Sequence, residues 1–139
     1  MGFRNMENAI YFENIKYGFD NYKNEKVVMS EEEAFLFFMN KYLQAKKDSV
    51  YVDFYYGCLD ENAKELIEKE LTEEEKIYLQ KTIMKDEIIY LANETFLKIV
   101  TKLNARETLF STIYFTGEVE DRSTWWGNYN KEYFVFRES

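Results

Sequence analysis

Hydrophobic and polar residues alternate over Val50–Tyr56, and this alternation predicts a strand with two different faces. The residues divide into Val50, Val52, Phe54 and Tyr56 on one face, and Tyr51, Asp53 and Tyr55 on the other. Gly57 ends the segment. Two faces that differ in this way are typical of a strand in a sheet that packs its apolar side against helices.

Strand-like patterns return after Arg106. Residues 109–116 predict one strand, and a polar turn over 117–123 leads to a second strand through Trp125 and Trp126. Gly127-Asn128 is a turn signal, and residues 133–136 predict a last strand. This order indicates an antiparallel C-terminal β-meander.

Two capping boxes predict where helices begin, because in each a hydroxyl and a glutamate satisfy free backbone N–H groups. Ser30 with Glu33 opens a helix to about residue 47, and Thr72 with Glu75 opens another. We expect the second to continue to about residue 104, as one bent helix or as two that meet near 85–87. The apolar spacing of three and four that supports this prediction comes from Ile89, Ala92, Phe96, Ile99 and Leu103.

The remaining segments complete the predicted fold. Asp60 is expected to cap a short acidic helix to about residue 70, residues 18–25 resemble a loop, and residues 27–29 look extended. The sequence therefore predicts an α+β fold: a single two-layer domain over residues 1–139, with a mainly antiparallel sheet of about four or five strands packed against three or four helices.

Adjacent aromatic residues recur in the predicted strands. Neighbouring side chains in a strand point to opposite faces, so pairs such as Tyr55-Tyr56 place large rings on both sides of the sheet. One helical layer covers only one face, which predicts an aromatic surface on the other. The predicted contact residues of this surface are Trp125, Trp126, Tyr129, Tyr133 and Tyr55.

The charge is acidic and unevenly distributed. The formal net charge is −8, which disfavours direct contact with nucleic-acid phosphates. Between Asp60 and Lys76 carboxylates outnumber lysines, which indicates either a solvated helical face or a docking surface for a basic protein. The predicted acidic patch consists of Glu65, Glu68, Glu73 and Glu74.

Groups that usually carry catalysis or bind metal are scarce. The chain has no histidine and one cysteine, so neither a catalytic triad nor a Cys/His zinc site is predicted, and we expect no cofactor. Cys58 sits where a strand gives way to a helix, but position 64 is lysine where a phosphatase-like loop has arginine. The acidic residues between them oppose a thiolate, so we predict a structural cysteine.

Three functional hypotheses follow. The first is a non-catalytic protein-binding module of the inhibitor, immunity or adaptor type, using the aromatic surface or the acidic patch. The second is a small-ligand-binding domain or carboxylate-based enzyme with an aromatic pocket. The third is a homodimer formed through the aromatic face. The composition also leads us to expect no membrane segment, a cytoplasmic location and a bacterial or phage source.

Overall fold

A computed structural model describes residues 6–139 as a six-stranded antiparallel sheet with five α-helices. The strands are β1 (Lys23–Val28), β2 (Val50–Asp53), β3 (Ile89–Leu91), β4 (Thr112–Phe115), β5 (Ser123–Gly127) and β6 (Glu132–Arg137). The helices are α1 (Ile15–Asn21), α2 (Glu31–Gln44), α3 (Glu61–Glu68), α4 (Glu73–Thr82) and α5 (Glu94–Ala105). In the sheet the strands follow the order β1-β6-β5-β4-β2-β3. The α+β class and the C-terminal antiparallel run are confirmed.

Both capping boxes are present and set the starts of α2 and α4. Ser30 Oγ accepts from the Glu33 N–H at 3.2 Å, and the Glu33 carboxylate accepts from the Ser30 N–H at 2.8 Å. Thr72 and Glu75 make the same reciprocal pair at 3.1 and 2.9 Å. These helices therefore begin where the sequence predicts, because each cap satisfies N–H groups of the first turn.

The prediction of helix through residues 73–104 is wrong in its middle. The chain leaves α4 at Thr82, turns at Asp86 with a positive φ of 72°, and enters β3, which pairs with β2. Asn93 then caps α5 by accepting from the Phe96 N–H at 2.9 Å. Ile89 thus belongs to a strand, and the apolar seam of α5 starts only at Phe96. This extra strand brings the number in the described residues to six.

The prediction of a loop over residues 18–25 is also wrong. Asn14 caps α1 by accepting from the Lys16 N–H at 2.8 Å, and α1 continues to Asn21. β1 follows directly and pairs along its whole length with β6. The sequence of this region has no clear hydrophobic period. Contacts with the rest of the protein therefore decide whether it is helix, strand or loop.

The main core lies between the sheet and the helices α2 and α5. Phe38 of α2 is fully buried, with its ring centroid 5.3 Å from that of Trp125 and 5.1 Å from that of Tyr133. α5 contributes a largely buried surface: Phe96, Leu97, Ile99, Val100 and Leu103. A buried ion pair, Lys102 Nζ to Glu75 Oε1 at 2.6 Å, joins α5 to α4.

The opposite face of the sheet is covered in part by the segment before α1 and by α1 itself. Ile10 and Phe12 form a second core cluster with Phe136 of β6. The Thr124 hydroxyl donates to the Ile10 carbonyl at 2.6 Å, which fixes the segment across β5. We call residues 8–14 the N-terminal strap. It covers rings that a single helical layer leaves exposed.

Candidate functional site

A cavity of about 450 Å³ lies on the second face of the sheet, beside the N-terminal strap. We call it the Asp53 cavity. Its walls are formed by Tyr11, Phe12 and Glu13 of the strap, Asp53 and Tyr55 at the end of β2, Phe110, Ser111, Thr112 and Tyr114 around β4, and Trp126 and Gly127 of β5. Six of these residues are aromatic and two carry carboxylates.

Asp53 occupies the last position of β2. Strand alternation directs Val52 and Phe54 into the helix-side core, where both are fully buried, and so places Asp53 on the cavity side. The backbone N–H of Thr112, on the neighbouring strand β4, donates to Asp53 Oδ1 at 2.7 Å. The side chain is only 6% exposed, so the sheet holds a carboxylate in a nearly dry position.

Burial changes the acidity of this carboxyl group. Loss of hydration disfavours the charged form and raises the pKa of Asp53 from 3.8 to about 6, although the N–H and hydroxyl of Thr112 oppose the rise. Asp53 is therefore ionised at neutral pH, but at a free-energy cost. A group held charged in a desolvated cavity is a frequent mark of a functional site.

The tyrosines of the cavity are held in their neutral form. Burial, followed by the nearby Asp53 charge, raises the pKa of both Tyr114 and Tyr55. Burial also raises the pKa of Tyr11, with contributions from Glu13 and Asp53. At neutral pH these residues thus present uncharged rings with hydroxyl groups, and none of them acts as a base.

The described residues bring no positive charge into the cavity. None of its lining residues is lysine or arginine, and no ion pair involves Asp53 within residues 6–139. This contrasts with Glu75, the other buried carboxylate, which is paired with Lys102. The strong negative character of the cavity therefore remains available to a ligand.

The predicted aromatic surface is divided between three environments. Trp125 and Tyr133 are each 2% exposed, and they do not belong to a surface because α2 covers the face on which they lie. Trp126 is half-buried, lines the cavity and stacks on Phe12 with 5.3 Å between ring centroids.

The two other predicted residues are more exposed. Tyr55 lines the cavity and is 39% exposed. Tyr129 does not line the cavity, but it is exposed and its ring centroid lies 4.7 Å from that of Phe110, a lining residue. Two of the five predicted aromatic residues, Tyr55 and Trp126, thus line one concave site rather than an open face.

The acidic patch is spread over two helices. Glu65 and Glu68 lie on α3, whereas Glu73 and Glu74 lie in the first turn of α4. Glu68 accepts a hydrogen bond from the Tyr56 hydroxyl, and Glu73 forms an exposed ion pair with Lys76 at 3.0 Å. Glu65 and Glu74 are exposed to solvent. The patch therefore offers less uncompensated charge than its sequence indicates.

Asp53 is the candidate site residue that the sequence pattern does not single out. Its signal is present, since it is the one charged residue in an otherwise apolar and aromatic strand, between Tyr51 and Tyr55 on the same face. A charged residue at such a position is either exposed or specifically placed. The N-terminal strap, which covers that face of the sheet, determines whether Asp53 is exposed or specifically placed.

Cys58 does not line the Asp53 cavity but a second concavity of about 590 Å³ beside α3. Cys58 is a free, exposed thiol in a short 3-10 turn ahead of α3. Within residues 6–139, no three His, Cys, Asp or Glu side chains cluster closely enough to hold a metal ion, and none of the helices has the length and apolarity to cross a bilayer. Neither a family model, nor a curated protein, nor a solved structure matches this chain.

Proposed function

We propose that this protein is a small-ligand-binding domain whose ligand occupies the Asp53 cavity. The observation that carries the proposal is a desolvated carboxylate that lines an aromatic concavity and has no ion-pair partner among the described residues. A cavity of about 450 Å³ falls within the roughly 300–1,000 Å³ usual for sites that hold small molecules. A cytoplasmic location remains part of this proposal, on composition alone.

Binding is favoured over catalysis because the cavity offers one buried carboxylate, Asp53, beside neutral tyrosines, while the second lining carboxylate, Glu13, is exposed. General acid–base chemistry uses two groups whose pKa values have been pushed apart. Burial keeps the cavity tyrosines protonated, and so they add hydrogen bonds and ring surface rather than a second proton acceptor. Few polar groups within an apolar lining are typical of a site that orients a ligand.

The two adjacent tryptophans provide a direct test. The indole N–H of Trp125 donates to Ser123 Oγ at 2.9 Å inside the core, whereas Trp126 lines the cavity. In ¹⁵N-labelled protein each indole gives its own resonance, and a Trp126→Phe variant assigns the pair. A fragment library titrated into this protein is expected to shift the Trp126 indole and the Thr112 amide signals, and to leave the Trp125 indole unchanged.

The same spectra can also contradict the proposed ligand site. If every fragment that binds shifts residues of α2, α3 or α4 and leaves the Trp126 and Thr112 signals unmoved, the ligand site is elsewhere and the proposal is wrong. If the library binds nowhere, the cavity has no affinity for small molecules and the proposal also fails.

A protein-binding role is the second candidate, and an exposed aliphatic ridge on α2 favours it. Leu36 and Leu43 are 60% and 72% exposed and lie seven residues apart, on one face of the helix. Exposed leucines at this spacing are suited to contact with a partner helix or a second copy of the chain. A basic partner would also meet the exposed Glu65 and Glu74.

Sedimentation velocity at micromolar protein tests the homodimer form of this candidate. A dimer that the Leu36→Lys/Leu43→Lys variant converts to monomer supports association through α2. A monomeric wild type excludes a strong dimer, and capture experiments in which wild type and variant retain the same proteins count against any partner at this ridge.

A further inference from the structure

We infer that the ligand of the Asp53 cavity is a protonated organic amine, held by the Asp53 carboxylate and by the aromatic rings that surround it. The inference rests on the proposed function, and it names the chemical class of the ligand. Three features of the cavity support it: the sign of its charge, the character of its walls, and the unused hydrogen-bonding capacity of its carboxylate.

The first feature is charge. The part of the lining that residues 6–139 provide contains two carboxylates, Asp53 and Glu13, and no lysine or arginine. An anionic ligand would bring a further negative charge into a space where Asp53 is already desolvated, which is strongly unfavourable. A cationic ligand instead supplies the partner that a buried carboxylate normally has.

The second feature is the walls. The aromatic rings contributed by Tyr55, Phe110 and Trp126 come from three different segments and border the same space. The face of an aromatic ring carries negative electrostatic potential and attracts an ammonium group, most strongly when water is excluded. Neutral phenols keep this property, and burial favours the neutral form of Tyr55. Rings and carboxylate therefore select for the same charge.

The third feature is unused acceptor capacity at Asp53. A carboxylate has about four acceptor positions. Within residues 6–139 the hydrogen bonds to Asp53 come from Thr112, whose backbone N–H lies 2.7 Å from Oδ1. Acceptor positions remain for the N–H groups of an ammonium ion. This favours an amine that carries hydrogen on nitrogen over a quaternary ammonium, which has none to donate.

A series of three compounds with the same body tests the inference. Benzylamine, benzyl alcohol and benzoate share one ring and differ in the charge of the head group. We expect benzylamine to bind the wild-type protein at least about tenfold more tightly than benzyl alcohol, and benzoate to bind too weakly to measure. The readout is the Trp126 indole shift, and isothermal titration calorimetry gives the dissociation constants.

Two variants separate the local charge from the overall charge. Asp53→Asn keeps the size of the side chain and its acceptor for Thr112 but removes the charge, so benzylamine should lose its advantage over benzyl alcohol. Glu120→Gln removes one exposed charge in the turn before β5, outside the cavity, and should leave the ratio of the two constants unchanged. A thermal melt of each variant confirms folding.

The wild-type protein gives the same information without mutation. Benzylamine binding should weaken as the pH falls through about 6, because Asp53 takes up a proton, while benzyl alcohol binding should stay constant. Among the described residues, the titratable groups that line the cavity with Asp53 are Glu13, Tyr11, Tyr55 and Tyr114. The tyrosines stay neutral across this range, and a pH effect that survives in Asp53→Asn would contradict the assignment of the binding charge to Asp53.

The outcomes distinguish the inference from the proposed function. If benzylamine and benzyl alcohol bind equally well, the cavity is a small-ligand site but the amine class is wrong. If benzoate binds best, the sign of the selectivity is reversed and the inference is overturned. If none of the three binds, the inference again fails, and the fragment library then decides separately whether the cavity binds any small molecule.

Discussion

Replacement of Asp53 by asparagine should make the protein more stable at neutral pH. Burial raises the pKa of this carboxyl group from 3.8 to about 6, so the folded chain must hold a charge that it disfavours. One pKa unit corresponds to about 1.4 kcal/mol, and the rise of about two units therefore corresponds to about 3 kcal/mol. Asparagine has no charge to desolvate and keeps an oxygen to accept from the Thr112 N–H.

The sign of the pH dependence follows from the same values. Between about pH 4 and pH 6 the folded chain binds a proton at Asp53 that the unfolded chain has lost, so the stability of the wild type falls as the pH rises through this interval. Above about pH 6 Asp53 is ionised in both the folded and the unfolded chain, and so the stability lost through its burial is constant. The advantage of Asp53→Asn should therefore be small near pH 4, grow to about 1–3 kcal/mol by pH 6 to 7, and then remain level.

Urea denaturation followed by tryptophan fluorescence at several pH values measures this difference. The many other carboxylates titrate in both proteins, and so the subtraction of the two stability curves isolates Asp53. Glu65→Gln, which changes an exposed carboxylate, should show no comparable gain. An advantage of Asp53→Asn that is absent at pH 7, or that shrinks as the pH rises from 4 to 7, would show that the buried Asp53 charge does not destabilise the fold.

Two further predictions concern the helix-side core and are checked by the same denaturation assay. Glu75→Gln leaves the Lys102 ammonium buried without its charged partner and should cost about 3–5 kcal/mol. Glu75→Gln/Lys102→Met removes both charges, keeps an acceptor for the Thr72 N–H of the capping box, and should recover much of this loss; equal losses in both variants would contradict this. Gly127→Ala places a methyl group against Asn104 Oδ1 and should cost about 1–3 kcal/mol, a loss that adding Asn104→Ala should reduce; strictly additive losses would show that the contact is not the cause.

Local sequence signals account for much of the fold. The capping boxes at Ser30 and Thr72 are local hydrogen-bonding arrangements, and each sets a helix start without help from the rest of the chain. The strand alternation of Val50–Asp53 is equally local, because its two faces differ in composition. Where the residues themselves fix the backbone, sequence and structure agree.

The errors fall where distant contacts decide. Ile89–Leu91 continues an apolar spacing that suits a helix, yet it becomes a strand because β2 offers an open edge for pairing. Residues 8–14 have no periodic pattern at all, and their position depends on contacts with β5 and β6. The Asp53 cavity depends on both the pairing of residues 89–91 with β2 and the position of residues 8–14 across the sheet. The aromatic pattern contains neither, and so on its own it predicts an open surface instead of a concave site.

The hydrogen bond between Thr124 and Ile10 joins residues 114 positions apart. During synthesis the strap therefore waits, without its docking surface, until β5 has left the ribosome. The cavity wall is consequently among the last parts to assemble. A fragment that lacks β5 loses both the Ile10 anchor of this wall and Trp125 of the helix-side core, so the two faces of the sheet depend on the same late strand.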